Sequence, residues 1–168
     1  MPRSYMMYAI LFVVLVLLQV LIFNHIALFN VAFPIIFIYF IIRMPISMNQ
    51  YVFFTLAFLL GFIIDIFSDT LGVNALSCTI LAGIKQPAFY AYVDRDDHSN
   101  KIIPSVMTLG LTTFAKYLIT MVTIYCLLVF TIEYFSFADV KELVVLVVSS
   151  TILTFITLLA TDLLIPKT

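Results

Sequence analysis

Asp65 and Asp69 close the apolar run that starts at Tyr51, and Gly72 and Asn74 follow before the chain turns oily again. Carboxylates at the end of such a run can accept hydrogen bonds from a turn, or cap the helix that comes next. Gly61, four residues before Asp65, lets another backbone approach closely. Gly72 permits a tight reversal, and Asn74 joins Asp65 and Asp69 as a candidate cap. The block reads as a rigid hairpin, either as a well-made turn or as part of a surface that receives a partner helix.

Other ionisable groups lie inside apolar runs: Lys85, Lys116 and Asp162. A charge at mid-bilayer costs roughly 2.5–3.5 kcal/mol on insertion scales, so such groups face protein and pair. Depth along the runs matches Lys85 with Asp162, and Lys116 with Asp65. Structural ion pairs, or snorkelling side chains with no further role, are the preferred reading over a proton or ion pathway, because transport sites gather more carboxylates. His25 and His98 stand alone. Asp94, Asp96 and Asp97 could hold a divalent metal, but Arg95 and Lys101 sit among them, and a solvated loop is the simpler reading. Cys78 and Cys126 fall in apolar segments as small buried hydrophobes. No HExxH, GxSxG, Walker or CxxC motif occurs, and no nucleophile–base pair is visible. The expectation is a non-enzyme with no catalytic, cofactor-binding or metal-binding residue.

The elements that must position these residues are set by composition. Of 168 residues, 64% are apolar and 10% charged, and the mean hydropathy is +1.22. Soluble domains carry about 25% charged residues, so the chain reads as one polytopic, all-α membrane domain over 1–168. No basic cluster exists to hold a phosphate backbone, so no nucleic-acid partner is expected. Predicted spans are 6–23, 26–42, 51–67, 71–92, 102–132 and 143–165, in one six-helix bundle. The first run is too long for a signal peptide and has no cleavage site. The second is short, with Pro34 near its start, and is either a tilted span or a partly re-entrant helix. Arg3, Arg43, Arg95, Lys101 and Lys167 then fall on the side of the termini, with only Lys141 opposite. Positive loops stay cytoplasmic, so both termini are expected in the cytoplasm and residues 66–74 outside.

Small and polar stripes mark protein-facing sides of membrane helices. Four occur at helical spacing: Ala57, Gly61 and Asp65; Ala75, Thr79, Gly83 and Pro87; Thr108, Thr112, Lys116 and Thr120; Ser150, Thr154, Thr157 and Thr161. The first span has no such stripe. Its ILFVVLVLL suits membrane lipid or a partner's apolar helix, including that of a second copy in a homodimer.

Residues 59–80, LLGFIIDIFSDTLGVNALSCTI, resemble the signature of the rod shape-determining protein MreD family. The matching features are Gly61, Asp65, the turn Phe67–Thr70, Leu71-Gly72 and Asn74-Ala75, preceded by Pro34 on a short second span. The resemblance implies a scaffold of the bacterial cell-elongation machinery in the cytoplasmic (inner) membrane. It implies partnership with an MreC-type bitopic shape protein, with sidewall peptidoglycan synthases and with the actin-like filament. It also implies the fold of the substrate-binding subunits of energy-coupling vitamin transporters. A vitamin-binding subunit is therefore the rival expectation. Such subunits typically carry an Ala-x-x-x-Ala patch on the first span, where this chain has only Ala9.

Overall fold

The computed structural model describes residues 2–22, 33–94, 102–133 and 140–164. Every regular element among them is a helix: α1 (Pro2–Leu21), α2 (Ile38–Arg43), α3 (Gln50–Ser68), α4 (Val73–Tyr90), α5 (Val106–Leu109), α6 (Leu111–Glu133) and α7 (Val140–Leu164). The helices α3, α6 and α7 are long and apolar enough to cross a membrane, and α1 holds a shorter apolar stretch, Met6–Leu21. His25, residues 95–101 with Arg95, Asp96, Asp97, His98 and Lys101, the loop 134–139, Lys167 and the Arg3 side chain lie outside the described residues.

The short α2 sits at the centre. Phe37 to Ile42 are at most 2% exposed, as a helix that is apolar all round requires. Aromatic rings pack it on two sides. Phe12 of α1 meets Phe40 edge-on at 5.3 Å, and Tyr125 of α6 meets Phe37 edge-on at 5.7 Å. Around this centre α3 and α4 form a close hairpin, and α4, α6 and α7 pack in series. Outward faces of α1, α3 and α7 carry exposed Ile10, Val13, Leu17, Phe58, Phe62, Val145, Val148 and Ile152, a composition suited to lipid.

Two expected spans are corrected. The run 26–42 is not one helix: residues 33–36 are non-helical and only Ile38–Arg43 is helical. Pro34 has no N–H and disfavours a helical residue before it, and side chains of other helices capture the remaining donors. The run 102–132 is broken as well. Residues 102–104 are non-helical, α5 is a single turn, and Gly110 takes φ 78° and ψ 159° before α6 begins. That backbone conformation is open almost only to glycine. Ser105 starts α5 with a capping box to Thr108, which favours a fresh start over continuation.

Candidate functional site

The Asp65 carboxylate is the hub of the α3–α4 hairpin. Oδ1 accepts from Thr70 Oγ1 at 2.5 Å, Asn74 N at 2.9 Å and Asn74 Nδ2 at 3.0 Å, and Oδ2 accepts from Ala75 N at 2.8 Å. Those bonds account for about all the lone-pair sites of an ionised carboxylate. The N-cap of α4 is Gly72, which has no side chain to offer. Asp65 therefore caps α4 from the preceding helix, with its negative charge at the positive end of the α4 dipole. Asn74 passes the network inward, accepting at Oδ1 from the Tyr125 hydroxyl of α6 at 2.6 Å. Gly61 makes the hairpin close. A Cβ there would overlap the Asn74 carbonyl oxygen and lie 2.6 Å from Ala75 Cα and N. Asp69 acts differently from the expectation that it helps cap α4. It is exposed, adopts the left-handed conformation at φ 55°, and donates its N–H to the Asp65 carbonyl to end α3. Its backbone shapes the turn.

A second hub joins three segments at the opposite end of the bundle. Asp162 Oδ1 accepts from the Tyr39 hydroxyl at 2.6 Å and from Arg43 at 2.7 Å, and Oδ2 accepts from Val106 N at 2.8 Å. Arg43 also donates to the Tyr39 hydroxyl at 2.5 Å. One carboxylate on α7 thus fixes the end of α2 and the start of α5. The Asp162 side chain is only 2% exposed, so its charge needs these partners.

Between the hubs, polar side chains hold the non-helical segment 33–36. Gln19 of α1 accepts from Ile36 N at 2.8 Å and donates to the Pro34 carbonyl at 3.2 Å. On α7, Ser150 Oγ accepts from Phe33 N and Thr154 Oγ1 from Ile35 N, both at 3.1 Å. Irregular backbone at membrane depth is tolerated only where protein satisfies its polar groups, and α1 and α7 do so here.

Neither expected ion pair forms. Asp162 takes Arg43, and Lys85 instead donates to the Met44 carbonyl at 2.5 Å with its ammonium 4.7 Å from the Phe53 ring centroid. Lys116 does not reach Asp65. Because helix α6 begins at Leu111, Lys116 lies one and a half turns from its start and is exposed, not central. The α6 residue at the Asp65–Asn74 level is Tyr125, nine residues or about 14 Å further along. The stripe of Thr108, Thr112 and Lys116 faces outward, and α6 buries Phe114, Tyr117, Leu118 and Met121 instead. Ala57, Gly61 and Asp65 are buried as their stripe predicts, and so are Ser150 and Thr154. On α4 Ala75 is buried, but Gly83 and Pro87 are exposed.

Gln19, Tyr39 and Tyr125 escape the sequence reading, and Thr70 enters it only as the end of a turn, without its bond to Asp65. Gln19 carried a signal: a neutral polar group deep in the first apolar run must find a partner. The tyrosines carried none, since a tyrosine in an oily run is ordinary. No family model, no curated protein and no solved structure matches the chain.

Proposed function

We propose that the chain is a non-catalytic membrane scaffold of the bacterial cell-elongation machinery. In this reading it sits in the cytoplasmic (inner) membrane with both termini cytoplasmic, and helps maintain cell shape. It links an MreC-type bitopic protein, the actin-like filament and sidewall peptidoglycan synthases. The observation that carries the reading is the use made of residues 59–80, where the resemblance lies. Asp65 commits its carboxylate to four hydrogen bonds within the hairpin, so its charge serves shape. A preformed element binds a partner without an ordering cost.

The test is affinity purification of the full chain from its native membrane, followed by identification of what comes with it. A bitopic shape protein and peptidoglycan synthases are expected. A chain that arrives without them, or that carries a stoichiometric vitamin, overturns the proposal. Asp65→Asn separates shape from docking: normal abundance with lost co-purification assigns the hairpin to the interface, whereas lost abundance makes it a folding element only.

A further inference from the structure

Lys85 is the buried cation that neither hub uses. It is 2% exposed, and the ion pair found among the described residues joins other groups, Arg43 and Asp162. An ammonium has three N–H donors. One goes to the Met44 carbonyl and one side of the group faces the Phe53 ring. The remaining donor has no acceptor among the described residues, and Lys85 lines a cleft of about 30 Å³ between the first turn of α3 and the last turns of α4. A buried charge held by one carbonyl and one ring is under-compensated.

The surroundings of the cleft define what completes it. Phe54, Ile46 and Met48 form apolar walls, and Gln50 and Gln86, bonded to each other at 2.8 Å, form a polar edge. The rim is low at Gly83, which is exposed. The 19 residues of α3 span about 28 Å, close to the thickness of the hydrocarbon core. Gln50, at the start of α3, therefore lies at the headgroup boundary, and Lys85 lies beside it. Phosphate oxygens of lipids are at this depth. The volume of about 30 Å³ admits one or two oxygen atoms, with the rest of a headgroup outside the rim, and the α4 face beyond Gly83 offers exposed Leu76 to an acyl chain.

We infer that the Lys85 cleft is a binding site for the phosphate of an anionic phospholipid, which enters over Gly83 and supplies the missing counter-charge. The inference does not depend on the proposed scaffold role.

The experiment is native mass spectrometry of the full chain released from detergent, after equilibration with dioleoyl-phosphatidylglycerol or dioleoyl-phosphatidylcholine. One equivalent of phosphatidylglycerol should be retained in clear preference to phosphatidylcholine. Lys85→Met should weaken retention by about tenfold or more. Gly83→Leu raises the rim and should do the same with Lys85 intact. It should also fold, since a Cβ at Gly83 meets only the Phe54 ring at 3.6 Å. Lys116→Met, which removes an exposed lysine, should leave retention unchanged. Equal retention of the two lipids overturns the inference. So does undiminished retention in Gly83→Leu, a loss in Lys116→Met as large as in Lys85→Met, or displacement by inorganic phosphate, which would make the site one for a free anion.

Discussion

At the scale of the residue, position along a run decided little until the partner was known. Asp65 and Lys116 are both charges in apolar sequence, yet one is a saturated hub and the other faces outward. Asp65→Ala removes a helix cap and several charged hydrogen bonds, so it should cost about 2–4 kcal/mol. Lys116→Met should stay within about 0.5 kcal/mol, as exposed substitutions do. Thermal unfolding in detergent, followed by circular dichroism, compares the two. A loss for Lys116→Met equal to that for Asp65→Ala would mean that the lysine is paired after all. The capping role of Asp65 was legible because Gly72 and Asn74 follow at turn spacing. Its separation from Lys116 was not legible. It depends on where α6 starts, and Gly110 sets that start through a backbone conformation that a run of apolar letters does not display.

At the scale of the element, interruptions matter more than the long helices. The non-helical segment 33–36 survives in the core because Gln19, Ser150 and Thr154 satisfy its backbone. Thr154→Val keeps the side-chain shape but leaves the buried Ile35 N–H without an acceptor, at an expected cost of about 1–3 kcal/mol. A neutral result in the same melting assay would mean that another group captures this donor. Gly110→Ala forces a Cβ onto a backbone with φ 78° and should cost about 1–3 kcal/mol. It should do so although nothing lies within 4 Å of the added atom. A neutral alanine here would show that the break between α5 and α6 relaxes into helix. Pro34 favours the first interruption by its chemistry, but a proline near the start of an apolar run is equally compatible with a span. The three side chains that support the interruption come from positions more than ten residues away, and no local pattern relates them.

At the scale of the whole molecule, Arg43, Lys85 and Lys116 gather toward one end with Asp162, while Asp65 and Asp69 lie toward the other. Arg43→Met would leave Asp162 buried with its charge no longer paired, and should cost about 3–5 kcal/mol. Asp162→Asn in the Arg43→Met background should recover part of that loss, and strictly additive losses would show that the two groups are not coupled. Sidedness is open to direct measurement, because Cys78 and Cys126 are both 0% exposed and should stay silent. Single cysteines at the exposed positions Ser47 and Leu71, at opposite ends of α3, should react with an impermeant thiol reagent from opposite faces of the membrane. Reaction of both from one face would remove α3 from the set of crossing helices. What the sequence alone determined was the solvent the chain is built for, the bounds of α3, α4 and α7 to within a few residues, and the turn that joins α3 to α4. These follow from hydropathy, glycine and capping chemistry, which act over one or two turns. Only the tertiary structure decided that Arg43 and not Lys85 neutralises Asp162, and that Tyr125 and not Lys116 meets the Asp65 network. It also decided that the centre of the bundle is a non-helical stretch, 33–36, running into the short helix α2. Each of these depends on how far one helix slides along another. That register is set by the packing of all of them at once.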